Sequence, residues 1–397
     1  MIISNPQADE AVEAAINGGP EAPQRRRLSL ERHWREAPDR VTLETVYRRI
    51  DHGDEPLVEV ELDGHRLRLD RPVRLEPDVI PKPWGREIWH TGIEARGESR
   101  VHTGAGTLPM SQYLALAPGR LTGAMPLVLL KILDPRPEPV LGDLYFETHE
   151  RKQEVYVVTH VDPDAWPDGR GRIRFGMNQA LRARYDDDAR FRRDYLAAVA
   201  RYERVRRAID AGETVPADEE AALRTDMEAF TELRELTVGD VVVVPTWLPH
   251  SLQHGVRVIE FQTPTYERYI ISFAQQVLTQ DHWDTEAAVA GMRLDSPPPP
   301  RFESLGAGVE RIVSFDDFRA WRMTLAAGES RLLPEHPGYL LCMTVTGSVE
   351  LDGLTLGPEQ AGFVPGEALK GPRREHSARV TNPGPDPAVI LLAAPDL

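Results

Sequence analysis

Short apolar runs separated by glycine and proline are the feature that most constrains the fold of this chain. It has 30 glycines and 34 prolines among 397 residues. The clearest apolar runs are residues 125–133, 154–161, 240–245 and 257–262. Strands this short with turn residues between them are typical of sandwiches and small barrels. The sequence therefore predicts a mostly β fold.

The alternating pattern is interrupted between residues 178 and 235. Apolar side chains there recur at steps of three and four residues, as at Phe191, Tyr195, Ala198 and Tyr202. This period is that of a helix with one buried face. We therefore predict a helical insertion at 178–235 between two strands of a β domain.

Composition shifts along the chain predict three parts. Residues 1–40 form a polar N-terminal segment, and the first 35 or so are expected to be a tail that is helical in part at most. Asp63 and Gly64 form a hairpin signal inside the first β stretch. The proline-rich stretch at 296–302 is a stiff connector. We therefore expect a β domain at 41–295 and a second one at 301–397.

The charge balance excludes several classes of partner. The formal net charge is −16, which repels nucleic acids and anionic membranes. The arginines of residues 182–207 alternate with acidic residues, as on a solvated helix face. Cys342 is the single cysteine, and the sequence carries neither a secretory signal nor an uninterrupted apolar run of membrane-spanning length. We expect a cytoplasmic, soluble monomer or homodimer that binds a small molecule, with neither nucleic acid nor membrane as a partner.

Two distant segments carry the residues with metal chemistry. In residues 142–158, Glu147 and His149 are two apart on a strand, so both point to one face, and Glu154 follows across a tight turn on the neighbouring strand. In residues 239–254, Gly239 opens a strand, Pro245 ends it and His250 follows. Two imidazoles and two carboxylates suit a divalent ion, most readily Zn²⁺, with Mn²⁺, Fe²⁺, Co²⁺ and Ni²⁺ as alternatives.

These segments resemble the two motifs of the cupin superfamily. The second motif, a glycine, a proline and then a histidine at fixed spacing, is met in full by Gly239, Pro245 and His250. Two positions depart from the pattern. Glu147 replaces the usual first histidine, and Trp247 replaces the usual glycine.

The text before the motifs resembles the type I mannose-6-phosphate isomerases. The segments that carry the resemblance are PKPWGREIWHTG, GTLPMSQYL and PLVLLKILDP. The resemblance implies a jelly-roll cupin barrel (a double-stranded β-helix) with a helical insertion, followed by a degenerate, metal-free cupin-like domain at 301–397.

The same resemblance implies the roles of individual residues. Glu147 (usually glutamine in that family), His149, Glu154 and His250 would be the metal ligands. Lys152 would be the active-site lysine. Arg268 matches a family arginine, although Glu267 intervenes after the Thr-Tyr pair that precedes it. The substrate class would be a sugar phosphate, with mannose 6-phosphate and fructose 6-phosphate first.

Such an isomerase moves a proton between C1 and C2 of the sugar. A metal ion stabilises the enediolate, and a general base carries the proton. Lys152 is expected to serve as that base, through a pKa lowered by burial beside the ion, or to orient the reactants. Arg268 would neutralise negative charge or hold a phosphate.

Several alternatives remain open at this stage. Lys152 as a surface residue and Arg268 in an ion pair with Glu260 or Glu267 are the structural interpretations. His254 is either a partner of the metal ligands or a polar strand end. For the whole chain, the competing functions are a metal cupin of different chemistry (another sugar isomerase or an oxygenase) and a non-catalytic sugar-binding cupin.

Overall fold

The computed structural model describes residues 3–33, 38–52, 55–306, 308–370 and 374–396. The fold is mostly β and antiparallel, which confirms the fold class predicted from the short apolar runs. The chain forms two compact units. The first contains residues 1–80, 89–131 and 301–397, and the second contains residues 81–88 and 132–300. Three strands carry the chain from one unit to the other: Asp78–Lys82, Gly85–Trp89 and Leu129–Pro135.

The predicted three-part division remains a prediction. In the structure, residues 41–80 and 89–131 group with residues 301–397. The strand Val73–Glu76 is part of this grouping, since it pairs antiparallel with Ala361–Val364.

The first unit contains three larger sheets. The first has the strand order Gln24–His33, Pro38–His52, Glu55–Leu62, His65–Arg68. The second runs Gly106–Pro109, Arg100–Thr103, Val73–Glu76, Ala361–Val364, Leu340–Thr346, Ala388–Pro395, Phe318–Leu325, Val309–Ser314, Glu303–Ser304. The third runs Ser330–Leu332, Arg379–Thr381, Val349–Leu351, Leu354–Leu356. A short pair, Ile93–Glu94 with Gly97–Glu98, and the helices complete the unit: Pro6–Gly18, Met110–Ala115, Pro118–Leu121, the 3-10 turn Gly366–Leu369 and Arg374–Ser377.

The N-terminal segment is helical in part, as predicted, but it is packed rather than a tail, and the prediction misses the strand at residues 24–33. The helix Pro6–Gly18 buries Ala8, Ala11, Val12 and Ala15 on one face. The strand Gln24–His33 then pairs along its length with the strand that follows it. Small buried side chains give a weak apolar period, so the helix face was missed.

The predicted Asp63–Gly64 hairpin is confirmed. Leu62 pairs with His65, and the two turn residues have φ of 49° and 81°. These left-handed values are those of the tight turn that an Asp-Gly pair favours.

The second unit contains two sheets. One has the strand order Val241–Val244, Glu154–Val161, Val256–Gln262, Leu129–Pro135, Gly85–Trp89, Asp78–Lys82. The other runs Thr231–Leu236, Gly171–Met177, His250–Leu252, Phe146–Thr148, Tyr269–Ser272. Their inner faces meet, because Glu154 of the first sheet reaches His250 of the second.

Helices cover one side of this unit. They are Gln179–Arg182, Asp188–Asp210, Ala217–Glu228 and Thr285–Gly291. The first three helices lie within the insertion predicted at 178–235. The last residues of that predicted insertion belong instead to the strand Thr231–Leu236. Phe191, Tyr195, Ala198 and Tyr202 are buried, as their helical spacing predicts. Over the described residues, no helix combines the length and the apolar character needed to cross a membrane.

A glycine substitution tests the packing of this unit. Gly85 has φ of 151°, and an added Cβ would lie 2.3 Å from the carbonyl oxygen of Asp134. Gly85→Ala is expected to lower the free energy of unfolding by about 3 kcal/mol, since backbone must move. Gly212→Ala is the control, because Gly212 has φ of 86° with open space around it, and about 1 kcal/mol is expected there. If urea unfolding showed the same loss of unfolding free energy for Gly85→Ala and Gly212→Ala, the close contact at Gly85 would be contradicted.

Candidate metal centre

The predicted ligands lie where the two sheets of the second unit face each other. Glu147 is in the strand Phe146–Thr148 and is paired in register with His250 on the adjacent strand. His149 follows that strand directly. Glu154 begins a strand of the opposite sheet, so the expectation that it returns on the neighbouring strand of the same sheet is wrong.

The structure brings all four side chains together. The donor atoms of Glu147, His149 and His250 lie within 4.8 Å of one another. Nε2 of His149 is 3.6 Å from Oε1 of Glu147 and 3.5 Å from Oε1 of Glu154. Nε2 of His250 is 3.0 Å from Oε2 of Glu154. His149, Glu154 and His250 are each at most 3% exposed, so the cluster is shielded from bulk water.

The state of the two histidines fits a metal ligand set. Burial holds the pKa of His149 well below its usual range, and the nearby Lys152 lowers it further. Its imidazole is therefore neutral, and neither ring nitrogen has a hydrogen-bond partner among the described residues. His250 places Nδ1 2.9 Å from the carbonyl oxygen of Leu248, which directs Nε2 toward the cluster. Burial lowers the pKa of His250, but Glu154 and Glu147 together raise it above its usual value, so an ion would bind His250 in exchange for a proton. The neutral imidazole of His149 and the directed Nε2 of His250 are features that suit a divalent ion.

Glu154 is the most heavily bonded of the four. Its Oε1 lies 2.5 Å from Nζ of Lys152. Its Oε2 accepts from the hydroxyl of Tyr156 at 2.5 Å and lies 3.0 Å from His250. Burial alone would raise the pKa of Glu154, but Lys152 and the histidines bring it well below its usual range. The carboxylate is therefore ionised in the interior.

Two of these contacts bear on the sequence predictions. Lys152 is buried beside Glu154 rather than on the surface. Without an ion, burial lowers the pKa of Lys152, but the carboxylates of Glu154, Glu147 and Glu260 together raise it; the lowered pKa expected beside a bound cation stays a prediction. Tyr156 was missed, although its position two residues after Glu154 on one strand was a signal for a shared face.

Arg268 turns toward Glu147. Its Nε lies 3.8 Å from Oε2 of Glu147, and its guanidinium stacks 4.5 Å from the ring centre of Tyr145. Nη2 donates to the hydroxyl of Thr279 at 2.5 Å. The expected ion pair with Glu267 is wrong, since Glu267 binds Arg151 and the backbone beside it.

Trp247 occupies the motif position where glycine is usual. The backbone conformation at this position explains the preference for glycine. Its φ is 61°, in the left-handed region that favours glycine. Its ring stacks on Tyr269 at 5.5 Å and fills the space over Gly291, where an added Cβ would meet it at 2.3 Å. This packing offsets the backbone strain beside the ligands.

His254 does not join the cluster through a described contact. Its Nδ1 lies 2.7 Å from Asp143, and its ring stacks on Trp166 at 4.5 Å. These contacts favour the structural interpretation of His254. Trp84 and Trp89 lie in the core, since each is 1% exposed.

Comparison with solved structures reveals the same architecture in one group of enzymes. Mannose 6-phosphate isomerase from Bacillus subtilis matches with a TM-score of 0.56 at 14% identity, over 81% of this chain and 99% of that one. The apo form of the enzyme from Salmonella typhimurium matches with a TM-score of 0.58 at 12% identity, over 82% and 100%. A zinc-bound mannose 6-phosphate isomerase matches with a TM-score of 0.60 at 13% identity, over the same shares. The chain has the fold of these isomerases.

The identities are low, so the likeness extends to the fold alone. No protein-family model matches the chain, and no curated protein matches it by sequence. The match to these solved structures confirms the cupin fold that the motifs imply. Membership of the isomerase family stays a prediction.

Removing a histidine tests the metal centre. The protein, purified metal-free and titrated with Zn²⁺ or Mn²⁺, is expected to bind one ion. His149→Ala and His250→Ala should each weaken binding by about 100-fold or more, since each removes a donor from a four-ligand set. His254→Ala is the matched control, and its affinity should stay near that of the unaltered protein. Equal affinities in all four proteins, measured by competition with a chelator, would rule out this centre.

Proposed function

We propose that this chain is a metal-dependent aldose–ketose isomerase acting on a sugar phosphate. Mannose 6-phosphate and fructose 6-phosphate are the first pair to test. The proposal is carried by one observation. Two histidines, two carboxylates and the cationic side chains of Lys152 and Arg268 meet inside a barrel with the fold of the mannose 6-phosphate isomerases.

Glu147, His149, Glu154 and His250 would hold the ion. Their donor set suits a divalent metal, and a zinc-bound isomerase has the same fold. The bound ion would supply Lewis-acid stabilisation of the negative charge that develops on the sugar oxygens.

Lys152 would act as a donor rather than as a base. The raised pKa of Lys152 keeps its ammonium group protonated beside Glu154. An ammonium group can donate a hydrogen bond to the sugar oxygen that gains negative charge when the C2 proton passes to a general base, which returns that proton to C1. Its contact with Glu154 also orients that carboxylate, so the lysine couples the metal site to the reacting atoms.

Arg268 would place a second positive charge on the side of Glu147. Its guanidinium is held by Tyr145 and Thr279. A fixed guanidinium can bind an anionic oxygen of the substrate without rearrangement. Burial alone would lower the pKa of Arg268, but Glu147, Tyr145, Tyr266 and Glu87 together raise it, so the guanidinium stays charged.

One observation favours a second candidate. Glu147, His149 and His250, the three donors within 4.8 Å of one another, are two histidines and one carboxylate. This set also serves iron-dependent oxygenases. Stoichiometric iron with oxygen uptake on a small organic substrate would favour that function, whereas sugar binding without turnover would favour a non-catalytic cupin.

The isomerase proposal is tested by turnover. With Zn²⁺ or Mn²⁺, the protein should form fructose 6-phosphate from mannose 6-phosphate. A coupled assay measures the rate of product formation. Lys152→Met should lower kcat by about 10²–10³-fold, because the hydrogen-bond donor to the developing negative charge is lost, while metal is retained.

Arg170→Ala is the control for removing a cation, because Arg170 lies in an exposed pair with Glu235. Its kcat should equal that of the unaltered protein. Turnover no higher than that of His250→Ala, across mannose 6-phosphate and a panel of other aldose phosphates, would refute the proposed function.

A further inference from the structure

The loop between His149 and Glu154 carries much of the candidate site. Residues 150–153 join the two proposed ligands, and Lys152 lies within them. The direction of three functional side chains therefore depends on the backbone of this short loop. Its polar backbone groups are bound from outside by residues distant in sequence.

Glu267 binds the first half of the loop. Its Oε1 accepts hydrogen bonds from the backbone amides of Glu150 and of Arg151, the latter at 2.9 Å. Its Oε2 accepts from Nε of Arg151 at 3.0 Å. The side chain of Glu267 is 10% exposed, whereas that of Arg151 is 75% exposed. The two amide bonds are therefore the sheltered part of this contact.

Thr263 and Trp247 bind the two ends of the loop. Thr263 accepts from the amide of Gln153 through its hydroxyl at 3.0 Å, and its own amide donates to the carbonyl of Gln153 at 3.0 Å. The amide of Trp247 donates to the carbonyl of His149 at 2.6 Å. The loop is thus held at His149, at Glu150 and Arg151, and at Gln153.

We propose that Glu267 is a positioning residue for the metal centre, acting through the backbone of residues 150–153. The inference rests on the proposed metal site. It assigns Glu267 no contact with the ion itself. It also explains the insertion of Glu267 before Arg268. The side chain of Glu267 binds the ligand loop while that of Arg268 reaches Glu147, so consecutive residues serve opposite sides of the cluster.

Charge makes this contact stronger than a turn hydrogen bond. An ionised carboxylate that accepts from two adjacent backbone amides forms charge-assisted bonds. Such a contact limits the positions of His149 and Glu154 before any ion arrives. Partners that orient metal ligands typically contribute 10–100-fold in metal affinity.

Measuring both Zn²⁺ affinity and thermal stability distinguishes a positioning role of Glu267 from a general contribution to the stability of the fold. The metal-free protein, Glu267→Ala and Glu267→Gln are titrated with Zn²⁺ in competition with a chelator, and their metal-free thermal midpoints are measured. Glu267→Ala should bind Zn²⁺ about 10–100-fold more weakly with a midpoint close to that of the unaltered protein. Glu267→Gln, which retains one acceptor oxygen without the charge, should fall between them.

Glu235→Ala is the matched control. It removes a carboxylate that is 53% exposed and paired with Arg170, so Zn²⁺ affinity should not change. An affinity of Glu267→Ala within twofold of the unaltered protein would overturn the proposal. So would a loss of affinity matched by Glu235→Ala.

Hydrogen exchange keeps the test decisive if Glu267→Ala does not fold. In the unaltered metal-free protein, the amides of Glu150, Arg151 and Gln153 should exchange slowly, because each is bound by a fixed side chain. Exchange at unprotected rates would overturn the proposal. Absence of isomerase turnover in the unaltered protein would refute the proposed function alone, because Zn²⁺ affinity and exchange do not depend on the substrate.

Discussion

The buried carboxylate of Glu154 is the interaction on which the candidate site depends. An ionised carboxylate without partners in the interior is strongly unfavourable. The chain compensates it with Lys152, Tyr156 and His250, each within 3.0 Å. Because Tyr156 and Glu154 belong to one sheet of the second unit and His250 to the other, satisfying one charge also links the two sheets at the site. The remaining geometry follows from that contact.

Charge balance then explains the states of the other groups. The second carboxylate, Glu147, faces Arg268, so each buried acid has its own cation. Without an ion, these carboxylates raise the pKa of Lys152 although burial alone would lower it. A divalent ion among them would find two carboxylates and two imidazoles as donors.

What the sequence could predict is what short-range spacing determines. The strands 154–161 and 256–262 follow from continuous apolar runs, and the proximity of Glu147 and His149 follows from a two-residue step on a strand. The support of the ligand loop could not be predicted, because Glu267 lies more than 110 residues from the amides that it binds. The strand 24–33 was missed because Leu28 and Leu30, its buried leucines, lie among arginines.

The departures from the cupin motif share a location, and this gives them a common physical interpretation. Trp247 tolerates a left-handed backbone because its ring is packed by Tyr269 and Gly291, and its amide holds the carbonyl of His149. Such a conformation costs about 1–3 kcal/mol, which persists only where surrounding contacts over-determine it. Glu267 binds the same loop from the other side. Trp247 and Glu267 therefore both act on the support of the ligand loop, whereas Glu147 changes a ligand itself.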